Sequence, residues 1–397
     1  MKSLIIDENN EGMGVTRINN KVVFIPFTIR DELVDFNIIN ELKKYNIGKL
    51  NNIIEKSINR KDSECPYYYL CGGCNLMHMN YSYQLDFKKR KVINNLKHIA
   101  NIDVSNIDII YDKDFNYRNH IILSLEGKKI GFLKDNSNEV IDIEKCLISN
   151  DKINNKIKEI RKFINKYDTN IKRISIKAYD EILINIESND FNLINEFNDV
   201  VKNDALFINN NYICGKEKIE ITFNNYKYKV SAKSFFQKNT NMAIKLYDYI
   251  KDNVDSNENI LDLYCGVGSI GIYVANKVKS VLGIEIIEDA VNDAIYNLKL
   301  NNIKNIKFIS GKVEDNIDNI KDIDTIIVDP PRIGLNNRAI ENILKINPNK
   351  IIYVSCNSTT LARDLKYLSN YNISNIKLFD LFPNTHHCES ITVLERR

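Results

Sequence analysis

The spacing of apolar residues changes near residue 231. Beyond that point, short apolar runs alternate with segments of helical spacing, such as residues 290–298, where apolar side chains recur three and four positions apart. Strands that alternate with helices are typical of a parallel sheet with crossover helices, which predicts a doubly wound α/β domain. The predicted strands are 259–263, 280–286, 306–310, 325–329, 350–355, 376–381 and 391–395.

Before residue 231 the apolar runs are shorter, and turns interrupt them more often. Runs at 11–15, 21–27 and 33–36 predict a small β-barrel. Runs at 171–178 and 182–187 predict strands of an α+β domain. We therefore expect an α/β fold whose carboxyl-terminal domain is Rossmann-like, preceded by the β-barrel and an α+β central domain. The predicted domain boundaries are 1–58, 59–230 and 231–397.

Composition narrows the class of protein only slightly. Hydrophobic residues make up 44% of the chain and charged residues 27%, which is ordinary for a globular protein, and the net charge of +3 indicates no particular partner. No apolar run reaches the roughly 18 residues that span a bilayer, and the amino-terminal apolar stretch is too short for a signal peptide. We expect a cytoplasmic, monomeric protein without membrane contact, whose eight cysteines are not disulfides.

The loop after the first strand of the α/β domain suits an adenosine-containing cofactor. Ligands of such sheets bind at the carboxyl ends of strands, where Gly266 and Gly268 let the backbone approach a ligand. Glu285 ends the next strand and could accept hydrogen bonds from ribose hydroxyls or be simply solvated. Because the loop lacks the full pyrophosphate fingerprint, S-adenosylmethionine fits better than a dinucleotide. Asp329 after the fourth strand agrees, and Tyr264 would pack on the ligand or in the core.

Two cysteines and a loop near the carboxyl end could carry covalent chemistry. Cys356 lies directly before a predicted helix, whose dipole would lower the pKa of the thiol, and Cys265 is a rival at the same sheet edge. The loop before the last strand supplies Glu389, His386 and His387 as candidate bases, unless it is merely solvated. A thiolate that adds to carbon 6 of uracil and a base that removes the carbon 5 proton would together allow methylation of carbon 5.

Six motifs in chain order resemble those of the RNA uracil-5 methyltransferase family. They are F-F-Q at 235–237, D-L-Y-C-G-V-G at 262–268, G-I-E at 283–285, D-P-P-R at 329–332, S-C-N at 355–357 and F-P-x-T-x-H-x-E at 382–389. The resemblance implies that Cys356 is the nucleophile and Glu389 the base. It also implies cofactor contacts from Gln237, Tyr264, Glu285 and Asp329. The family usually has proline after S-C-N, where this chain has Ser358; we expect the serine to cap the following helix without loss of function.

Four cysteines form a separate pattern. Cys65, Cys71 and Cys74 follow a C-x5-C-x2-C spacing and Cys146 lies farther along; four thiolates suit Zn²⁺ or an iron–sulfur cluster. The spacing differs from the three-cysteine loop of radical enzymes. In the ribosomal RNA branch of the family that the chain resembles, such cysteines hold a [4Fe-4S] cluster. The chains of that branch begin with a TRAM domain, an OB-like RNA-binding barrel. The resemblance therefore implies 23S ribosomal RNA as substrate, because the tRNA branch generally lacks both features.

Local charge and two rival functions complete the prediction. Residues 59–98 carry seven basic and three acidic side chains beside several tyrosines, which suits RNA contacts, although a lysine run is often only a solvated helix face. One rival is an RNA-binding module with an idle methylase site, against which Cys356 and Glu389 argue. The other is an amino-group methyltransferase, in which an aromatic residue follows D-P-P; here Arg332 follows instead.

Overall fold

The computed structural model describes residues 1–135, 137–317 and 320–397. The amino-terminal strands are β1 (Lys2–Leu4), β2 (Asp7–Glu8), β3 (Gly14–Ile18), β4 (Lys21–Ile25), β5 (Leu33–Glu41) and β6 (Tyr45–Glu55). They form a sheet in the order β1-β5-β6-β4-β3-β2, so its edge strands are consecutive in the chain. Because the segment from β1 to β2 pairs first with β5 and then with β3, the sheet curves around a fully buried core that includes Val23 and Phe36.

A second sheet forms the middle of the chain, in the order β10-β9-β8-β11-β12-β13-β14. The elements from residue 81 to 230 are α1 (Tyr81–Asn95), a π-helical turn (Leu96–Ala100), β7 (Asp108–Ile110), β8 (His120–Glu126), β9 (Lys129–Leu133), β10 (Val140–Asp142), α2 (Asp151–Lys166), β11 (Ile171–Ala178), β12 (Ile182–Ser188), α3 (Ile194–Val201), β13 (Ala205–Ile208), β14 (Asn211–Cys214), β15 (Ile219–Phe223) and β16 (Tyr226–Val230). Helix α2 begins after the capping side chain of Asn150 and buries isoleucines of helical spacing against this sheet. The strands predicted at 171–178 and 182–187 are confirmed.

A larger sheet occupies the carboxyl-terminal part, in the order β19-β18-β17-β20-β21-β23-β22-β7. Its elements are α4 (Thr240–Asp252), β17 (Asn259–Leu263), α5 (Ser269–Val274), β18 (Ser280–Glu285), α6 (Glu288–Leu300), β19 (Ile306–Ser310), α7 (Val313–Asn316), β20 (Thr325–Val328), α8 (Asn337–Ile346), β21 (Lys350–Ser355), α9 (Ser358–Tyr367), β22 (Tyr371–Phe379) and β23 (Glu389–Arg396). The α/β prediction is confirmed, and the first five predicted strands agree within one residue.

Two features of this sheet differ from the prediction. Strand β23 runs antiparallel to β21 and β22, so the sheet is mixed rather than wholly parallel. Strand β7, from before the middle sheet, pairs with β22 at the edge and places Asp108 opposite Lys377. Such a short edge strand has no periodic pattern that sequence reasoning could detect. Helix α1 packs on α9, so residues 81–110 belong by contact to this sheet.

The strand order determines where a ligand can bind. The chain continues from β17 to β18 and β19 on one side and to β20 and β21 on the other. At such a switch point the loops after neighbouring strands diverge and leave a crevice. Within the part of the chain that the structure describes, no helix has the length and hydropathy needed to cross a membrane.

Candidate active site

A large cavity opens at the carboxyl ends of β17, β18, β20 and β21. Its volume is about 950 Å³, and it extends from the loop after β17 to the cysteine-bearing segment before α1. Every predicted site residue lines it. These residues are Cys65, Cys71, Cys74, Cys146, Gln237, Tyr264, Glu285, Asp329, Cys356 and Glu389. The fold thus brings to one space two groups of residues that lie far apart in the sequence.

Glycines and Glu285 shape the loop after β17. Gly266 has a φ of +54° and open space where a Cβ would lie, whereas a Cβ at Gly268, with a φ of +73°, would overlap the ring of Phe308. The Glu285 carboxylate accepts hydrogen bonds from the N–H groups of Gly266 (3.0 Å) and Ile287 (2.8 Å). Glu285 therefore ties the loop to the end of β18.

Asp262 lies in β17, two residues before Tyr264, and sequence reasoning assigns it no role. Its side chain is fully buried in β17, where Oδ2 accepts a hydrogen bond from the N–H of Gly271 (3.1 Å). Oδ1 has no hydrogen-bond partner among the described residues. Burial raises the pKa of Asp262 to about 8, and the charges of Asp329 and Glu285 add to that rise. The signal in the sequence is the aspartate that opens D-L-Y-C-G-V-G.

The segment that carries Gln237 is held by two buried charged residues. The ammonium of Lys177, in β11, donates hydrogen bonds to three backbone carbonyls within residues 231–234, at 2.7 to 3.1 Å. Asp293 on α6 accepts a hydrogen bond from the hydroxyl of Ser234 (2.6 Å). Burial lowers the pKa of Lys177 to about 8. Sequence reasoning misses both charged residues because neither lies in a motif.

Cys356 lies between β21 and α9, and the residue after it caps the helix. The Asn357 side chain accepts a hydrogen bond from the N–H of Thr359 (3.1 Å). The Ser358 hydroxyl instead accepts one from Asn95 on α1 (2.8 Å). The expectation that Ser358 caps α9 is therefore wrong, and the serine contacts α1.

The ionisable groups around Cys356 form one electrostatic cluster. Burial raises the pKa of the Cys356 thiol to about 11, the carboxylates of Glu389 and Asp329 add to the rise, and the Arg332 guanidinium opposes it. The prediction of a lowered thiol pKa is therefore wrong for this structure. Burial also raises the pKa of Glu389 to about 8 and that of Asp329 to about 7. Arg332 lies 3.3 Å from a ring nitrogen of His387, and sequence reasoning did not include it in the site.

The rival residues are less well placed. Among the described residues, those that line the cavity include His387 but neither Cys265 nor His386. Cys265 is buried against Gly283, where an added Cβ would lie 2.9 Å from its sulfur. Burial lowers the pKa of His386 to about 4 and that of His387 to about 3. Glu389 is thus the candidate base whose pKa lies nearest to neutral pH.

The cysteine-bearing segment forms another wall of the cavity. The sulfur of Cys71 accepts a hydrogen bond from the N–H of Gly73 (3.4 Å). Burial raises the pKa of Cys65, Cys71 and Cys74, and the charge of Cys146 raises each of them further. Over residues 1–135, 137–317 and 320–397, no three His, Cys, Asp or Glu side chains are placed closely enough to hold a metal ion.

The basic run at 88–91 is largely engaged within the protein. Lys88 is fully buried and forms an ion pair of 2.5 Å with Asp380. Arg90 pairs with Glu8 at 3.1 Å. Lys91 donates a hydrogen bond to a carbonyl of the loop before β23. These three side chains fix α1 to neighbouring elements, so the run is not merely a solvated helix face.

Comparison with known proteins identifies the family. A family model described as tRNA (Uracil-5-)-methyltransferase matches residues 167–397, more than half of the chain. The chain belongs to this family. It is similar to an uncharacterized RNA methyltransferase of Clostridium tetani, with 33% identity over 97% of this chain and 94% of that protein. A relative of the same description from Aquifex aeolicus is 33% identical over 97% of this chain and 96% of its own length.

A solved structure is similar to this tRNA (uracil-5-)-methyltransferase family member over nearly the whole chain. It is the Pyrococcus abyssi tRNA (uracil-54, C5)-methyltransferase in complex with S-adenosyl-L-homocysteine. The two share 28% identity and a TM-score of 0.84, over 99% of this chain and 100% of the other. The predictions of an RNA methyltransferase and of an S-adenosylmethionine-dependent fold are confirmed.

The residues of this family member fit S-adenosylmethionine. Glu285 accepts two backbone hydrogen bonds, and a carboxylate has further lone pairs for ribose hydroxyls. The space beside Gly266 is open, and Asp329 adds a second carboxylate to the lining of the cavity. Carboxylates of this kind suit a ligand with hydroxyl donors and positive charge.

Proposed function

We propose that the chain methylates carbon 5 of a uridine in RNA, with Cys356 as nucleophile and Glu389 as base. The observation that carries this proposal is that both side chains line the same cavity as the Glu285 loop. The rivals Cys265 and His386 are not among the described residues of its lining. A nucleophile, a base and a donor site in one space are what the reaction requires.

The chain's own residues would divide the chemistry as follows. The Cys356 thiol gives its proton to water, aided by the positive charge of Arg332. Its sulfur then forms a bond to carbon 6 of the uracil, and the electron pair of the double bond between carbons 5 and 6 moves into an enolate. This bond increases the electron density at carbon 5. S-adenosylmethionine supplies the methyl group that carbon 5 receives. Glu389 then removes the proton from carbon 5, and the bond between sulfur and carbon 6 breaks. A base pKa near 8 suits a group that gains and loses a proton in every turnover.

We assign the contacts with the methyl donor to four residues. Glu285 would accept from the ribose, Tyr264 would pack on the adenosine, and Gln237 and Asp329 would make further contacts with the donor. Two observations support this assignment. Lys177 holds residues 231–234, just before Gln237, and the pairing of β17 with β20 fixes the strands that precede Tyr264 and Asp329.

We further propose that Cys65, Cys71, Cys74 and Cys146 ligate a [4Fe-4S] cluster. Burial and the charge of Cys146 raise the pKa of Cys65, Cys71 and Cys74, and buried apolar side chains lie beside them. The four cysteines fit such a cluster in donor chemistry. Protein purified without oxygen should contain iron and sulfide, which Cys71→Ser should remove. Stoichiometric zinc without visible absorption would contradict the assignment.

We propose that the chain divides into domains at residues 58 and 230. We also propose that the amino-terminal barrel is a TRAM module that binds RNA. The strand order, closed through β1 and β2, supports a barrel. Deletion of residues 1–58 should weaken the affinity for RNA more than the affinity for S-adenosylmethionine. Both affinities should be measured on the same protein preparation. Equal losses would argue against an RNA-binding role.

For the RNA itself we propose 23S ribosomal RNA, and the four cysteines are the feature that favours it. tRNA is the second candidate, because the Pyrococcus abyssi protein, named for uracil 54 of tRNA, matches this chain over its full length. Because that match spans both chains, the presence of the accessory domains does not separate the two substrates, and the proposal of ribosomal RNA rests on the four cysteines.

Unmodified 23S fragments and tRNA transcripts, each incubated with the protein and labelled S-adenosylmethionine, test both the reaction and the substrate. We expect label in the ribosomal fragments as 5-methyluridine, identified by mass spectrometry of nucleosides. Label mainly in tRNA would overturn the substrate, and label in another nucleoside would overturn the reaction. Cys356→Ala serves as the matched control for nonenzymatic label.

A further inference from the structure

The loop that leads into Glu389 makes few hydrogen bonds of its own. Residues 380–388 connect β22 to β23, and Asn384 within them has a left-handed backbone, with a φ of +64°. The carbonyl of Phe382 accepts from both the N–H and the hydroxyl of Thr385. Most other polar contacts of the loop reach residues 75–117, far earlier in the chain.

Two side chains, Asn75 and Gln84, hold the loop at neighbouring points. The Asn75 amide accepts from the N–H of His386 (2.9 Å) and donates to its Nδ1 (2.6 Å). The Gln84 amide accepts from the N–H of Asn384 (2.9 Å) and donates to its Oδ1 (3.1 Å). Gln84 and Asn384 are both fully buried, so no water competes for this pair of hydrogen bonds.

Further contacts secure the carbonyls of the loop. Lys88 donates to the carbonyl of Phe382 (3.1 Å), and Tyr117 donates to that of Pro383 (3.0 Å). The carbonyl of Asn384 accepts from the backbone N–H of Asn75 (3.1 Å), which directly follows the cysteine Cys74. The cysteine-bearing segment is therefore in direct contact with the loop.

The nucleophile and the donor site do not depend on these contacts. Cys356 follows β21, and Glu285 ends β18, so strand pairing within the large sheet fixes both. Glu389 is the first residue of β23, where it pairs with Phe379 and its neighbour Ser390 pairs with Ser355. The loop runs directly into this end of the strand, so its contacts restrain the end that carries the base. Loss of the contacts with Asn75 and Gln84 would thus displace the base relative to a nucleophile that stays in place.

We propose that Asn75 and Gln84 are positioning residues that hold Glu389 in reach of the carbon 5 proton. Through them the cysteine-bearing segment, by Asn75, and helix α1, by Gln84, govern the last step of the reaction, the removal of that proton, rather than methyl transfer. This inference rests on the proposed roles of Cys356 and Glu389.

The test compares Asn75→Ala and Gln84→Met with the wild type in a single turnover on the RNA that the wild type labels. Two products are counted: released methylated RNA, and methylated RNA that stays attached to the protein after denaturation. We expect methyl transfer to change by less than about threefold and release to slow by about tenfold, since a misplacement near 1 Å can reduce a rate by about 100-fold. The attached product should therefore accumulate.

Val92→Ala is the matched control for a general loss of stability. Val92 lies on the same helix and is buried, but it packs into the core of the large sheet. Thermal unfolding of Val92→Ala should show a loss of stability similar to that of the Asn75 and Gln84 variants. In the single-turnover assay, Val92→Ala should leave no RNA attached to the protein. If Gln84→Met does not fold, Asn75→Ala, at a partly exposed position, decides the outcome.

The outcomes separate this inference from the proposed function. If the wild type labels no uridine, the proposed function fails. If the wild type labels uridine and Glu389→Gln traps RNA, but the Asn75 and Gln84 variants slow both steps equally or neither, only the positioning role fails.

Discussion

The cofactor side and the base side of the cavity are assembled by different kinds of contact. On the cofactor side, Tyr264, Glu285 and Asp329 follow or end adjacent strands, and the pairing of β17 with β18 and β20 fixes them. On the base side, Gln84 and Asn384 bond across 300 positions of chain. Strand pairing within one sheet thus sets the donor site, whereas the base, which pairs with Phe379 at the start of β23, is held in addition by long-range contacts of the loop before it. Changes before residue 120 should therefore affect the base more than the donor site.

The largest expected effect concerns the nucleophile, which lies between the two sides. Cys356→Ala should reduce methylation at least about 1,000-fold, as is typical when a covalent nucleophile is removed. Binding of S-adenosylmethionine, measured by calorimetry, should stay nearly unchanged. Cys265→Ala should retain substantial activity, because that thiol is buried against Gly283. The reverse result would show that Cys265 is the nucleophile.

Replacement of the base should separate the two sides most clearly. Glu389→Gln should permit addition and methyl transfer but slow release about 100-fold or more, because a general base typically contributes at least that factor. A protein–RNA adduct that survives denaturation should appear on a gel. Should His387→Gln trap RNA while Glu389→Gln does not, the base is the histidine.

The buried ion pair at the start of the loop tests how firmly the base side is anchored. Lys88→Met leaves the Asp380 carboxylate buried without its cation, which should lower the free energy of unfolding by about 3 to 5 kcal/mol. Chemical denaturation measures this loss. Adding Asp380→Asn to Lys88→Met should recover most of it while preserving an acceptor for Tyr81. If the double variant is no more stable than Lys88→Met, an unpaired charge is not the cause.

The pH dependence of release should be the mildest effect. The Glu389 carboxyl has a pKa raised to about 8, so it is protonated below that pH and cannot take up the carbon 5 proton. Release from preformed adduct should therefore rise about tenfold per pH unit below pH 8 and level off above it. Quenched-flow measurements from pH 6 to 9 should start from preformed adduct. Ionisation of the Cys356 thiol then does not affect the measured rate, because its sulfur is already bonded to carbon 6. A release rate independent of pH would contradict Glu389 as the base.

The large sheet and the cavity lining could largely be predicted from the sequence, because their signals are local. Apolar runs bounded by polar loops place β17, β19 and β21 to the residue, and the residues just past strand ends point to the cavity. Strand β22 begins five residues before the prediction, because asparagine and lysine interrupt the apolar pattern of this irregular strand.

The contacts that hold the site could not be predicted, because they join residues without a shared motif. Lys88 belongs to a run of basic residues that looks like a solvated face, and only the fold brings it to Asp380. Lys177 and Asp293 lie outside every motif yet fix the segment that carries Gln237. The pKa of Cys356 is raised rather than lowered because of burial and two carboxylates, and neither effect can be read from the sequence around the cysteine.

The pairing of β7 with β22 has a consequence for biosynthesis. Asp108 emerges from the ribosome long before Lys377, its partner in the sheet, and the whole middle sheet is made in between. Helix α1 and β7 must therefore wait for the end of translation, while the middle sheet can already form as an insertion. A fragment that starts at residue 231 would leave the edge of β22 uncovered and prone to aggregation, whereas co-expression with residues 59–110 would supply the missing strand.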